Sequence, residues 1–282
     1  MNKKNINQKS PELPITDFTR IQSIFERNKW PIQDYFDDYV FDDFCNMLKG
    51  LEPEQRELII SLTENFIWIQ DREYMMHFSY AFDSFVTTYD FSRGKNIYIC
   101  PLLPEDDFGK SKSSISLLYT VKSHLRTLQR KYKSFNITYA DSPHMVDFDL
   151  LKNNYTLCLI DDFIGTGETV ERAVDYFLKK EIPINTIVVV SLVAMKFGIY
   201  ELQKKGYTIY THLQCDKGLS SSGNERNIEI MKTIEQQIKV SDEYRFGYKG
   251  SEALVKLIRT PNNTFPIYWF RNKKNKYAPF AR

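Results

Sequence analysis

The sequence predicts an α/β protein in which a central parallel sheet is flanked by helices and preceded by an N-terminal helical region. After Gly94, short apolar runs alternate with helix-like segments, a pattern typical of strands that are covered on both faces of a parallel sheet. Before Val86, apolar residues recur at four-residue spacing among charged ones, which indicates amphipathic helices. We therefore predict a helical region over 1–86 and an α/β domain with a C-terminal extension over 87–282.

The helical region shows this spacing twice, in Phe36, Val40 and Phe44 and again in Leu58, Leu62 and Phe66. Pro53 predicts the start of the second of these helices, because proline is favoured in the first helical turn. Five acidic residues lie near the first helix, and their spacing favours its solvated side over a metal site. They are Asp34, Asp37, Asp38, Asp42 and Asp43.

The α/β domain contains four candidate strands, each rich in Ile, Val, Leu or Tyr. They cover 97–102, 155–160, 186–193 and 207–212, and helix-like segments follow at 115–131, 168–180 and 196–205. A further helix is predicted over 226–238. This alternation predicts βαβ units.

The composition excludes several classes of protein. The 38 Lys and Arg nearly balance the 36 Asp and Glu, so the net charge of +2 does not indicate a nucleic-acid binder. The four cysteines are widely spaced, which predicts reduced thiols and no disulfide framework or zinc site. No signal-peptide pattern and no long apolar run are present, so we expect a cytoplasmic protein with no membrane partner.

The most informative segment is the candidate strand that runs into Asp161 and Asp162 and then into a Gly/Thr turn before a helix. In an open parallel sheet the ligand crevice lies beyond the carboxyl ends of the strands, where these acids are expected. The turn and first helical residues are Gly165, Thr166, Gly167, Glu168 and Thr169. Their amides and hydroxyls, with the helix dipole, suit a phosphomonoester.

The two carboxylates suit a different part of a ligand, because they accept hydrogen bonds from hydroxyl groups and repel phosphate. A ribose 5-phosphate satisfies both halves at once. The structural alternative is an ordinary strand, turn and helix with a capping threonine.

This segment resembles the signature of type I phosphoribosyltransferases. The resemblance implies that Asp161 and Asp162 are catalytic and hold the 2- and 3-hydroxyls of 5-phosphoribosyl-1-pyrophosphate, while residues 165–169 wrap the 5-phosphate. It also implies Mg²⁺ carried mainly on the ligand's oxygens and no metal site built from the protein alone. Glu168 departs from the family pattern, since it adds a carboxylate near the phosphate.

The family resemblance also assigns a pyrophosphate loop after the first strand of the domain. Here that loop contains Lys110, Ser111 and Lys112, with Ser113 as a further donor. Their charges and hydroxyls suit pyrophosphate, although a polar surface loop is the alternative. The Gly109-Lys110-Ser111 triplet is not a P-loop, because Pro104 stands where the first glycine is required.

Three other features bear on activity. The segment 141–154 occupies the place of the family's mobile catalytic loop but is not rich in Lys or Arg; His144 and Asp147 are its candidates for proton transfer. Lys196 stands where purine-type members bind the base, with a solvated lysine as the alternative. The basic segment 271–277 has either a nucleic-acid role or an ordinary solvated one.

The segments 250–255 and 259–269 resemble bacterial phosphoribosyltransferase-like proteins found beside defence modules, including retrons. This resemblance implies an effector in antiviral defence that transfers or consumes a phosphoribosyl group, with a protein or RNA partner. The alternative is a non-catalytic regulator or scaffold that binds ribose phosphates or nucleotides.

Overall fold

A computed structural model describes residues 12–32, 39–152 and 154–282. Its helices are α1 Ile15–Asn28, α2 Val40–Lys49, α3 Pro53–Glu64, α4 Tyr74–Thr88, α5 Ser113–Ser123, α6 Leu125–Lys131, α7 Phe148–Lys152, α8 Glu168–Leu178, α9 Lys196–Lys204, α10 Glu225–Gln237 and α11 Pro266–Trp269. Its strands are β1 Ile67–Trp68, β2 Asn96–Pro101, β3 Asn136–Tyr139, β4 Tyr155–Ile164, β5 Ile187–Met195, β6 Thr208–Cys215 and β7 Val255–Lys256.

The chain forms two compact units. The helical unit comprises Met1–Trp68, Gly218–Lys256 and Asn262–Arg282, and the sheet unit comprises Ile69–Lys217 and Leu257–Pro261. We predicted a boundary between residues 86 and 87, whereas the units divide the chain after Trp68 and again after Lys217. The physical reason is packing, because α4 lies against β5 and β6, and most of the C-terminal extension packs with the N-terminal helices.

The sheet unit contains a parallel five-stranded sheet in the order β3-β2-β4-β5-β6, which confirms the predicted fold class. All nine residues of β5 are buried, as expected of a strand covered on both faces. On one face, Leu157 and Val189 share a buried cluster with side chains of α7, α8 and α9. The alternate residues Cys158 and Val188 point to the opposite face, where α4 and α5 pack.

The helical unit is built around an aromatic core. Phe25, Phe44, Trp68, Tyr268 and Phe280 are buried, and several of their rings meet edge to face. The short strands β1 and β7 pair in parallel within this unit. The C-terminal extension therefore supplies core residues that the N-terminal helices alone lack.

Several sequence predictions differ from the structure in detail. The predicted helix over 115–131 is interrupted at His124, which separates α5 from α6. The strand predicted over 155–160 extends to Ile164, so both acids lie inside β4 and not after it. Strand β3 was not predicted, because its four residues, Asn136–Tyr139, are only partly buried and weakly apolar.

The acidic residues of the first predicted helix are only partly described. Asp42 is exposed in the first turn of α2 and Asp43 is half-buried. Phe36, Asp34, Asp37 and Asp38 lie outside the described residues. Within the described chain, no helix has both the length and the apolar character needed to cross a membrane.

Candidate functional site

The strand order reverses beside the segment singled out from the sequence. From β2 the chain crosses to β3 on one side and then returns to β4, from which β5 and β6 continue on the other side. In doubly wound sheets, ligands bind outside the carboxyl ends of the two strands where this direction reverses. Those strands are β2 and β4, and the two predicted ligand loops follow them directly.

Asp161 and Asp162 lie near the carboxyl end of β4 and are almost fully buried, with 9% and 3% of their surfaces exposed. Ser113 Oγ, at the start of α5, donates to Asp161 Oδ1 at 3.1 Å, and the amide of Asp162 donates to the same oxygen at 2.9 Å. Tyr74 OH donates to Asp162 Oδ2 at 3.2 Å. The donors hold both carboxyl groups in place.

The direction of the Tyr74 bond follows from a second contact. The amide of Ile258 donates to Tyr74 OH at 2.7 Å, so the single tyrosine proton is available to Asp162. Tyr74 is buried, and it links α4 and the 257–261 segment to the acid. Asp162 is thereby oriented by two distant parts of the chain.

The buried acids resist ionisation. Burial raises the pKa of Asp161 well above its usual range, and the neighbouring Asp162 charge raises it further. Burial also raises the pKa of Asp162, although hydrogen bonds from Ser113 and Tyr74 partly oppose that rise. A ligand that supplies hydroxyl donors or a cation favours the ionised forms and releases protons on binding.

The turn after β4 contains the residues that the sequence analysis assigns to phosphate. Gly167 has φ 89°, a left-handed conformation that glycine adopts without strain, and α8 begins at the next residue. The first amides of α8 have no acceptor within the helix, and the helix dipole adds positive potential there. Thr169 is exposed, whereas Gly165, Thr166 and Glu168 are half-buried.

Helix α9 supports this turn from behind. A Cβ atom on Gly198 would lie 2.0 Å from the carbonyl oxygen of Gly165, so the helix approaches the turn closely only because residue 198 is glycine. A Cβ on Gly167 would lie 2.9 Å from the Leu202 side chain of the same helix. The turn is therefore packed against α9 at two points.

The loop after β2 carries the three residues assigned to pyrophosphate. Lys110 and Lys112 both pair with Asp107, at 3.1 and 2.9 Å, and Ser111 is exposed. Burial acts to raise the pKa of Asp107, but hydrogen bonds from Lys112 and Lys110 prevail and lower it. Any anion that binds Lys110 and Lys112 must compete with this carboxylate.

Two contacts join the loop after β2 to the elements around β4. Ser113, directly after Lys112, bonds Asp161, and Arg172 of α8 pairs with Asp106. The structure thus brings Lys112, Asp161 and the start of α8 to the same edge of the sheet.

Two other candidate residues have local partners. His144 Nδ1 bonds Ser142 Oγ at 2.8 Å, and Lys196 pairs with Asp216 at 2.6 Å. Sequence reasoning missed Tyr74, Gly198 and Ile258, and it also missed the bond from Ser113 to Asp161. Of these, Gly198 alone carried a signal, since a glycine inside a predicted helix often marks a close approach.

Comparison with known proteins identifies the family. The model of the PRTase-CE family matches residues 51–282. The chain belongs to the PRTase-CE family. This confirms the predicted relation to type I phosphoribosyltransferases. Among solved structures, the crystal structure of orotate phosphoribosyltransferase from Aeropyrum pernix matches 61% of this chain and 78% of its own, at 14% identity and a TM-score of 0.32. No curated protein matched the chain.

The described residues of this PRTase-CE protein include no group of three or more His, Cys, Asp or Glu side chains arranged to hold a metal ion. The carboxyl groups of Asp161 and Asp162 are instead engaged by Ser113, Tyr74 and backbone amide donors.

Proposed function

We propose that this PRTase-CE protein binds 5-phosphoribosyl-1-pyrophosphate in the crevice between the ends of β2 and β4 and transfers or consumes its phosphoribosyl group. One observation carries the proposal: a hydroxyl-accepting acid pair and an anion-binding helix start lie on one strand connection, at the reversal point of the sheet. Asp161 and Asp162 accept from the ribose hydroxyls. Residues Gly165–Thr169 surround the 5-phosphate.

Magnesium fits this site as part of the ligand. Asp161 and Asp162 are the carboxylates proposed to hold the ribose, and a cation shared with ligand oxygens favours their ionised forms. When bound, Mg²⁺ neutralises charge on the pyrophosphate. The protein's own contribution is to orient the ribose and to place lysines at the leaving group.

In the proposed transfer, the bond between the anomeric carbon and the pyrophosphate oxygen breaks, and its electron pair leaves with pyrophosphate. A nucleophile then forms a bond to the anomeric carbon and loses its proton to solvent or to a nearby base. Lys110 and Lys112 stabilise the departing charge, with Ser111 as a further donor. Asp161 and Asp162 hold the sugar while positive charge develops at its ring.

A second candidate is a regulator or scaffold that binds the same ligand without transfer. It is favoured by the segment 141–154, which occupies the place of the family's catalytic loop but contains Lys152 as its single Lys or Arg. Lys152 pairs with Glu181. We propose for either candidate a role in antiviral defence with a protein or RNA partner, which is supported by the likeness of the C-terminal segments to defence-associated proteins.

The proposed function is tested by titration calorimetry of the full chain with 5-phosphoribosyl-1-pyrophosphate. We expect saturable binding that is tighter with Mg²⁺ and that releases protons, seen as a heat that depends on the ionisation enthalpy of the buffer. Release of pyrophosphate by the same samples separates transfer from binding alone. Absence of binding in both the presence and the absence of Mg²⁺ would contradict both candidates.

The loop after β2 gives a separate prediction. Lys110→Ala combined with Lys112→Ala should weaken pyrophosphate binding by about tenfold or more and leave ribose 5-phosphate binding within about twofold, because the lost charges lie at the leaving-group end. Calorimetry with each ligand measures both effects. The control is Lys179→Ala combined with Lys180→Ala, at exposed lysines that follow α8. Equal weakening of the two ligands would show that this loop is not the pyrophosphate site.

A further inference from the structure

The segment 110–140 has an unusual charge distribution for a chain with a net charge of +2. It contains seven Lys and Arg residues and no Asp or Glu. The segment forms α5 and α6 and enters β3. Its basic residues are Lys110, Lys112, Lys122, Arg126, Arg130, Lys131 and Lys133.

The later part of this segment forms one exposed surface. Arg126 and Arg130 are both exposed on α6, one helical turn apart and so about 6 Å along its axis. Lys133 is exposed just after the helix. We define these residues, together with Lys95 and Arg93, as the basic surface.

Lys95 and Arg93 lie outside the segment 110–140, just before β2, and β2 pairs with β3. Asn136, the first residue of β3, pairs with Asn96, and its amide donates to the carbonyl oxygen of Lys95 at 2.9 Å. Lys95 Nζ also lies over the ring of Phe135, 5.7 Å from its centroid. The exposed Lys95 therefore stands beside the chain that leaves α6, and the exposed Arg93 precedes it by two residues.

Carboxylates neutralise the margins of the surface but not its centre. Asp141 pairs with Lys122 at 2.6 Å, and Asp83 pairs with Lys131. In the part of the chain that the structure describes, no carboxylate forms an ion pair with Arg126, Arg130 or Lys133. These three charges remain available to an external anion.

We propose that the basic surface binds the phosphodiester backbone of a nucleic acid. Arginine guanidinium groups match phosphate oxygens with two parallel hydrogen bonds, and the two arginines follow each other at one-turn spacing along α6. The exposed positions from Arg126 to Ser134 are all polar, so the surface has no apolar side chain to insert into a membrane. Contact with phosphates alone is independent of base sequence.

This surface is separate from the proposed phosphoribosyl site. It lies where β2 and β3 begin, whereas the acid pair lies near the carboxyl end of β4, and the three strands are parallel. The inference therefore goes beyond the proposed function. A nucleic acid bound here leaves the crevice open.

The test is fluorescence anisotropy of the full chain with labelled single-stranded RNA, single-stranded DNA and duplex DNA, over salt from about 50 to 200 mM. The variant combines Arg126→Glu, Arg130→Glu and Lys133→Glu. We expect its affinity for the RNA to fall by about tenfold or more and its log-log salt slope to shrink by about 2, since each lost phosphate contact removes about 0.7 for single strands.

The matched control combines Lys179→Glu, Lys180→Glu and Lys239→Glu, which are exposed lysines outside the basic surface and outside the segment 271–277. It changes the net charge equally, and we expect affinity within about threefold of wild type. Arg126→Ala with Arg130→Ala serves as a milder variant if the charge reversals impair folding, as judged by circular dichroism.

Three outcomes would overturn the proposal. The first is no binding of any of the nucleic acids by the wild type, and the second is equal weakening by variant and control. The third is binding to vesicles of phosphatidylcholine and phosphatidylserine in place of nucleic acid. Retained binding of 5-phosphoribosyl-1-pyrophosphate by the variant keeps this test independent of the proposed function.

Discussion

Replacing Asp161 and Asp162 together by asparagine is expected to weaken binding of 5-phosphoribosyl-1-pyrophosphate by more than about tenfold. The exchange keeps the shape and an accepting oxygen at each position but removes the charge. Each hydrogen bond from a ribose hydroxyl then changes from a charge-assisted bond, worth about 1.5 to 3 kcal/mol, to a neutral hydrogen bond, worth about 0.5 to 1.5 kcal/mol. Calorimetry with Mg²⁺ present measures the change.

The fold of the double variant should persist. An asparagine oxygen still accepts from Ser113 at position 161 and from Tyr74 at position 162. Burial raises the pKa of both wild-type carboxyl groups above their values in the unfolded chain. Their ionisation therefore lowers the free energy of unfolding as the pH rises. The variant should therefore melt at or above the wild-type temperature, and its advantage should be larger at about pH 8 than at about pH 5.

A matched control is Asp242→Asn with Glu243→Gln, an adjacent and exposed acid pair in the helical unit. It should leave ligand affinity and the pH dependence of melting nearly unchanged. If the Asp161 and Asp162 variant stops binding the ligand yet keeps full activity in cells, the proposed phosphoribosyl function is wrong, and the fold acts as a scaffold.

The strand and turn around Asp161 were predictable because their signals are local. An apolar run ending in acids, then glycines and a helix start, specifies a buried strand with a turn at its carboxyl end, whatever packs around it. The topology adds that this turn follows one of the two strands at the reversal point of the sheet. The βαβ alternation predicted parallel strands but not their order.

The supporting residues were not predictable because they are specified by tertiary packing. Tyr74 lies 88 positions before Asp162, on a helix whose sequence indicates only that it is amphipathic. Ile258 lies in the short segment Leu257–Pro261, which belongs to the sheet unit. The chain before and after this segment belongs to the helical unit. No periodicity or motif connects these residues to the acid pair. The same limit explains the division of the chain, which depends on which apolar faces meet.

Gly198→Ala is expected to impair both stability and ligand binding, although its local effect on a helix is favourable. Alanine inside a helix normally stabilises it relative to glycine by about 0.5 to 1 kcal/mol. Here the new Cβ would lie 2.0 Å from the Gly165 carbonyl oxygen, a backbone atom that moves only if the turn or α9 moves. Overpacking of this kind costs about 1 to 3 kcal/mol, which corresponds to a fall in melting temperature of about 3 to 10 °C.

The displaced turn should also bind phosphate less well, because the proposed phosphate site depends on the left-handed Gly167 and on the start of α8 next to it. We expect ribose 5-phosphate to bind about tenfold more weakly or worse, as measured by calorimetry below the melting temperature. Gly50→Ala is the control, since its Cβ would meet Met47 at an ordinary 3.4 Å in the helical unit. A Gly198→Ala protein that is as stable as wild type and binds equally well would mean that α9 does not hold the turn. The anion site would then depend on the strand and α8 alone.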